Sequence, residues 1–539
     1  MNQLCIVVVL LSVCGLSFQK STPQDTHYVA AVVEFNRHSN NVKNNTARYV
    51  SLAQEAARKL ADIIVFPELT LTNANYTFEV PMNGLVKEYP VPALYPAGYD
   101  EVITAISQAA LDNQIYVVIN GRELMDCTLP ATRAVEYCPE EKQYIFNTNV
   151  VFSRNGSIID RYRKINLFGE HAHTPALRPD LGKFTTDFGV TFGHFICFDL
   201  MFQVPAVQVV QKENIKNVIF PTMWFSELPY LSAVQIQEAY AYSLDVNFLG
   251  SGANNVRVGS AGSGIYSGKA GALISTMPGI PTTRLLVARV PKVPGQITEP
   301  FPGPIYDDPS ENDLRLIIDP SLASHKSRLL VPGQQEFTLE DGDVTCNFRV
   351  RLSRRNGTEA IKYRAFVQDG SILGARREIG VVACLVTACQ TDNATTCSYR
   401  FSKNEENPIE ELEIEMKTYR NKYNRSLHCN NIQYYPVTFR NNMIPLSPKN
   451  YTLSIESEEE CEPKNQDSIS VSQKEIINKS DRETINFKIK QPQNELVDFS
   501  IFGRIYTRDV DHNIGLSKED LLKYSTLLDL MLDDDDEDY

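Results

Sequence analysis

Hydrophobic and polar positions follow two different regimes along this chain, and the change falls near residue 319. Before it, short apolar runs of strand length are separated by segments whose apolar residues recur every three or four positions. Strands are predicted over 28–35, 62–66, 115–119, 146–153, 157–163, 188–198, 217–221 and 247–251. Helices are predicted over 46–60, 100–113, 205–213 and 232–245; in the first, Leu52, Ala53, Ala56 and Leu60 share one face. Arg154-Asn155-Gly156, between two of the strands, is a hairpin signal, because Asn and Gly tolerate positive φ. Strands alternating with helices predict an α/β layer fold. After residue 319, short alternating segments at 346–352, 362–367, 399–401 and 485–489 predict a β-rich second unit. The proline-bearing stretch 291–309 is the expected junction. At 539 residues, two domains are the natural expectation.

Three apolar runs end on reactive side chains. Ile63-Ile64-Val65-Phe66-Pro67-Glu68 ends on a carboxylate, Arg161-Tyr162-Arg163-Lys164 on an amine, and Gly193-His194-Phe195-Ile196-Cys197-Phe198-Asp199 carries a thiol. A thiol is a weak nucleophile until it loses its proton, so a catalytic Cys needs a base or a nearby cation. Glu68 supplies the base in this reading. Lys164 supplies the cation, which lowers the thiol pKa and holds a developing oxyanion. The backbone N–H of Phe198 is a second oxyanion donor, and Glu170 orients Lys164 or the deacylating water. Such parts cleave an amide through a thioester. His171 and His173 have no further His or Cys nearby and read as pocket-shaping residues rather than metal ligands. Trp224, the only tryptophan, either walls an acyl pocket or fills the core. No metal and no organic cofactor is expected.

The compartment changes how the cysteines are read. Residues 1–17 hold the apolar run 4–11 followed by small residues, which reads as a cleaved signal peptide without the usual positive charge. Asn44, Asn75, Asn155, Asn356, Asn393, Asn424, Asn450 and Asn478 each stand two before Ser or Thr, the pattern of a secreted glycoprotein. Of 11 cysteines, Cys5 and Cys14 fall in the signal, and the nine that remain cannot all pair within the chain. Cys127 and Cys138 bracket a short loop, and Cys346, Cys384, Cys389, Cys397, Cys429 and Cys461 form a C-terminal set. Cys197 is left alone, the residue that the strand-end chemistry also singles out. The formal charge is −14, of which residues 533–538 contribute six, so the body is modestly acidic and offers no footprint for nucleic acid or an anionic membrane.

Phe66-Pro67-Glu68, Arg161-Tyr162-Arg163-Lys164 with Asn166-Leu167-Phe168, and Cys197-Phe198-Asp199 resemble the Glu–Lys–Cys blocks of the nitrilase, or carbon–nitrogen hydrolase, superfamily. Leu200-Met201-Phe202, Pro205-Ala206-Val207, Pro221-Thr222-Met223-Trp224 and Gly262-Ser263-Gly264-Ile265-Tyr266 narrow the resemblance to its vanin/biotinidase branch. The resemblance implies an α-β-β-α sandwich over 26–318, a disulfide-stapled β-rich base domain over 319–520 and an acidic tail over 521–539. It implies a secreted amidase for a small-molecule vitamin conjugate, either pantetheine or a biotinyl amide, with Glu68 as base, Lys164 on the oxyanion and Cys197 as nucleophile. Several vanins end in a hydrophobic tail exchanged for a lipid anchor; the apolar run 527–532 is too short for one, so no stable membrane anchor is expected. The competing readings are a catalytically silent binding glycoprotein on the same fold and a hydrolase of an unrelated amide. Oligomeric state is not legible in the sequence.

Overall fold

Strand His27–Asn36 is buried on both faces, and its two faces define the layers of the first unit. Tyr28, Ala30 and Val32 share a core with Ile219, Leu249 and Ile265 of a second sheet. Ala31, Val33 and Phe35 meet Tyr49, Ala53, Ile103 and Ile106 of two helices. A strand apolar on both sides reads as a continuous hydrophobic run, which is how it was legible. The computed structural model describes residues 20–37, 40–128, 138–306, 313–353, 361–401, 409–419, 432–457 and 482–512. The signal segment, the acidic tail, Cys429, Cys461, Asn356, Asn424 and Asn478 lie outside the described residues.

One sheet runs Arg284–Pro291, His27–Asn36, Ile63–Val65, Tyr116–Asp126, Gln143–Phe152, Ile158–Arg163. The other runs Ala272–Thr276, Ser263–Ser267, Asn247–Asn254, Asn217–Thr222, Thr191–His194, Gly182–Thr185. Helices Val42–Arg58 and Glu101–Asn113 cover the first sheet, and helix Ala233–Leu244 covers the second. This is the expected α-β-β-α sandwich. The predicted hairpin joins Gln143–Phe152 to Ile158–Arg163 in antiparallel register. At its turn Gly156 has φ 79°, and a Cβ there would come within 2.7 Å of Ser107 O, so glycine is required.

The chain stays on the first unit through Gly303–Pro304, which pairs with Ile274 and Ser275, and through Ile317–Ile318, which pairs with Glu227 and Leu228. Two antiparallel sheets follow. Lys326–Leu329, Lys362–Gly374, Arg377–Cys389, Leu496–Ile505 and Ile432–Arg440 form one; Gly333–Asp341, Val344–Leu352, Ile409–Tyr419, Arg482–Ile489 and Tyr451–Ser457 form the other. Val382, Val386 and Phe499 meet Val350, Ile414 and Phe487 between them. The Cys346–Cys384 disulfide ties the two sheets together across 38 residues, worth about 3–4 kcal/mol in the chain-entropy account. Cys389–Cys397 and Cys127–Cys138 close short loops. Helix Ala233–Leu244 is enclosed from both sides: ten of its twelve residues are buried, between Phe248 and Tyr266 beneath and Tyr435, Val437 and Phe502 of the C-terminal unit above. No helix among the described residues is long and apolar enough to cross a membrane.

Four expectations shift. The first helix begins at Val42, a turn earlier than predicted, because the Asn41 side chain accepts from Asn44 N at 3.1 Å and caps it. The predicted strand 188–198 contracts to Thr191–His194, since the chain leaves the ladder to make the turn that carries Cys197. Of the predicted helix 205–213 only Gln208–Gln211 is α-helical; residues 205–207 belong to a wider turn, Gln203–Val207, in which Val204 is extended at φ −109° and ψ 118°. Residues 399–401 are not a strand, because Phe401 N and Arg400 Nε donate to Asn441 instead of a ladder.

Candidate active site

Each predicted site residue sits just beyond a strand, where the backbone can depart from ladder geometry. After Ile63–Val65, Glu68 is followed by Leu69 at φ 49°, whose N–H donates to Asn120 Oδ1 at 2.9 Å. Lys164 follows Ile158–Arg163 and stays registered through Lys164 N to Asn147 O, 2.9 Å. Cys197 has φ 47°, a left-handed conformation that strains a non-glycine residue and is characteristic of side chains held for function. It opens a single 3-10 turn, Cys197–Met201.

These ends converge. Lys164 Nζ donates to Glu68 Oε1 at 2.7 Å and to Glu170 Oε1. Asn147 Nδ2 donates to Glu68 Oε1 and to Glu170 Oε2, each at 2.8 Å. The result is a closed ring of Glu68, Lys164, Glu170 and Asn147. Asn120 Nδ2 holds Asn147 Oδ1 at 2.8 Å, so the ring is braced from the sheet behind it. Met223 N donates to Glu68 Oε2 at 2.8 Å, and the Cys197 thiol donates to Met223 O at 3.5 Å, so carboxylate and nucleophile are held by the two backbone groups of one residue. An ammonium has three donors; two of those on Lys164 are engaged by carboxylates, leaving one for an oxyanion. Cys197 is the only free cysteine among the described residues.

The electrostatics favour a thiol that is neutral at rest. Burial, then the negative charge of Glu68, push the Cys197 thiol well above its ordinary value against the pull of Lys164. Burial works against the Lys164 ammonium, yet Glu170, Glu68 and Cys197 hold it well above its ordinary value. Burial alone would raise Glu170; Lys164 and His173 outweigh it and hold that carboxyl below the usual range. Glu68→Gln should therefore shift the pH profile of Cys197 alkylation by iodoacetamide toward acid while slowing amide turnover by about 10²-fold or more. An alkylation profile that stayed in place would show that the Glu68 charge does not keep the thiol protonated.

Asp199 ties the nucleophile turn to the lysine loop. Its Oδ1 accepts from Asn166 N at 2.8 Å and Asn166 Nδ2 at 2.9 Å; its Oδ2 accepts from Tyr162 Oη at 2.7 Å and Ile196 N at 3.2 Å. Burial pushes this carboxyl up to about 6 even though Tyr162, Lys164 and Asn166 all favour its charged form.

The cavity above Cys197 has a volume of about 320 Å³ and is bounded by Glu68, Lys164, Glu170, Arg37, Arg122, His171, His173, Met223 and Phe225. His171 and His173 are thus pocket residues. Trp224 is not on the wall: it is buried against Phe220, and its Nε1 donates to Leu231 O at 2.7 Å, so its neighbours in sequence face the cavity while it fills the core. The Phe198 ring packs on Phe168 and Phe202 beneath the cavity. Asn147 and Asn120 were missed, because an Asn inside a strand has no sequence signature beyond being polar where apolar residues are expected. A larger hollow of about 620 Å³ is bounded by Glu123, Arg161 and Arg163, but these pair with one another. Among the sequons, Asn44, Asn75, Asn155 and Asn393 are exposed, and Asn450 is half-buried.

The description of one family, carbon–nitrogen hydrolase, matches residues 29–268, and that of the vanin C-terminal domain matches 315–509. Vanin-like protein 1 of Drosophila melanogaster is 31% identical over 552 aligned positions, spanning 96% of this chain and 93% of that protein. The chain belongs to the vanin family of carbon–nitrogen hydrolases. Vanin-like protein 2 of the same fly is also 31% identical, over 96% of each chain. Biotinidase of Homo sapiens is 34% identical over 261 residues, 47% of either protein. An amidase from Nesterenkonia sp. aligns in structure with a TM-score of 0.36 at 16% identity, covering 50% of this chain and 92% of that one. Membership of that family makes this protein an amide hydrolase.

Proposed function

We propose that this is a secreted amidase that hydrolyses the linear amide of a vitamin conjugate, pantetheine or a biotinyl amide, through a Cys197 thioester. The observation that carries the reading is the closed ring of Glu68, Lys164, Glu170 and Asn147 beside a free thiol at the end of a small cavity. Glu68 takes the thiol proton as Sγ attacks the carbonyl carbon. The third donor of Lys164 and the N–H of Phe198 hold the oxyanion, and Glu170 fixes where Lys164 stands. Collapse of the tetrahedral adduct breaks the C–N bond, and the amine leaves with the proton from Glu68. Water then attacks the thioester, giving a proton to Glu68; the acid departs, and the proton returns to Sγ. The cavity volume supports a small amide, since it lies at the low end of the range of about 300–1,000 Å³ that small-molecule sites occupy.

Purified protein should release chromophore from a pantothenoyl or a biotinyl amide, and whichever is turned over names the vitamin. Turnover of neither, with Cys197 alkylatable, would leave an unrelated amide or a silent site.

A further inference from the structure

The nucleophile turn is held from two sides, and only one of them belongs to the catalytic sheets. Arg504, almost fully buried in strand Leu496–Ile505 of the C-terminal unit, donates from Nε to Met201 O at 2.9 Å and from Nη1 to Gly380 O. Met201 is the last residue of the turn that Cys197 opens. Arg377 begins strand Arg377–Cys389 and donates from Nη1 to Asn166 Oδ1 at 3.1 Å. Its guanidinium also lies over the Phe202 ring, 5.2 Å from the centroid. Asn166 is the residue whose N–H and Nδ2 are both given to Asp199.

The two arginines are aligned by one stretch of chain. Asp509 accepts both oxygens' bonds from Arg504 Nη2, at 3.0 and 2.8 Å, and Asp511 pairs with Arg377 Nη2 at 2.9 Å. The hairpin that delivers Arg377 is strained: Ala375 and Arg376 take φ 48° and 64°, where Asn-Gly would be at ease. A Cβ on Gly374 would meet the Phe198 ring at 3.4 Å, so the hairpin tip lies directly against the residue after the nucleophile.

We propose that the C-terminal unit completes the active site: Arg377, through Asn166 and Asp199, and Arg504, through Met201, hold the turn that presents Cys197. Both are positioning residues and neither touches the reacting atoms. The proposal rests on the Cys197 thioester reading for its consequence in turnover, but its geometry can be read without any substrate. Bonds of this kind matter because a nucleophile misplaced by about 1 Å can cost about 10²-fold in rate.

The test uses the full-length protein with Arg377→Ala, Arg377→Lys, Asn166→Ala and the Arg377→Ala/Asn166→Ala double variant. Arg377 is half-buried and serves better than Arg504, which is almost fully buried and bonds Met201, Gly380 and Asp509 at once. Arg377→Ala should lower kcat by about tenfold to a hundredfold with KM within about twofold, and Arg377→Lys should recover part of the loss. Cys197, loosened in its turn, should alkylate several-fold faster with iodoacetamide. Because Arg377 acts through Asn166, the double variant should be no slower than Asn166→Ala alone. Unchanged kcat and alkylation in Arg377→Ala, or losses that multiply in the double variant, would overturn the proposal. If the wild-type protein turns over no vitamin amide, the function reading fails; the alkylation rates still decide the clamp.

Discussion

Cys197→Ala is expected to lower amide turnover by at least about 10⁴-fold, on the scale found when the nucleophile of a covalent mechanism is deleted. The protein should still fold. The substitution removes one neutral sulfur that donates a long bond to Met223 O, 3.5 Å, and it leaves the ring of Glu68, Lys164, Glu170 and Asn147 intact. A change in stability within about 1–2 kcal/mol is expected, in the ordinary range for a small buried truncation. Urea unfolding beside a turnover assay separates the two effects. Activity that survives in a folded Cys197→Ala protein would exclude the thioester. A protein that fails to fold would show that the thiol braces the strained turn rather than serving chemistry.

Lys164→Met is expected to damage both chemistry and stability. Removing an oxyanion donor costs about 10²–10³ in rate. In addition, Glu68 and Glu170, whose side chains are 3% and 8% exposed, would share a buried site with no cation between them. Removing one partner of a buried pair costs about 3–5 kcal/mol. The pH dependence gives the prediction a sign. In the wild-type protein Glu170 is held below its ordinary value, Lys164 and His173 outweighing its burial. Its contribution is therefore full above the unfolded carboxyl value of about 4.3 and is lost as pH falls through the lower folded value. In Lys164→Met, burial and the neighbouring carboxylate push the other way, one carboxyl takes up a proton, and stability should rise as pH falls from neutral. Between about pH 5 and 7 Glu170 adds no slope to the wild type, so an unfolding free energy of Lys164→Met that rises relative to wild type as pH falls through that window would establish that Lys164 neutralises the pair. Parallel slopes would place the charge balance elsewhere, with His173 the next cation at Glu170.

Much of the candidate site was visible along the chain because strand ends are visible along the chain. A run such as Ile63-Ile64-Val65 must be buried, and a Glu, Lys or Cys directly after such a run is carried to the rim of a sheet whatever its partners are. Cysteine parity added a second, independent pointer to Cys197, and among the described residues it is indeed the unpaired thiol. The helix of residues 233–244 was equally plain, with Ser232 N donating to Gln235 Oε1 at 2.9 Å at its start. The nucleophile turn itself was hidden: Phe195 and Ile196 are as apolar as the strand before them, and nothing local announces that Cys197 takes a positive φ.

By itself, then, the sequence determined the alternation of strands and helices, the β-rich second unit, and three chemically matched residues at strand ends, because each depends on periodicity or on the chain immediately around it. Only the tertiary structure decided which groups meet. Asn147 joins Glu68 across 79 positions, Arg377 reaches Asn166 across 211, and Arg504 reaches Met201 across 303. It also decided that Trp224 belongs to the core while Met223 and Phe225 face the cavity. Hydrogen bonds between such distant residues leave no period in the chain, and the side of a turn on which a ring falls is settled by the sheets and helices that close around it.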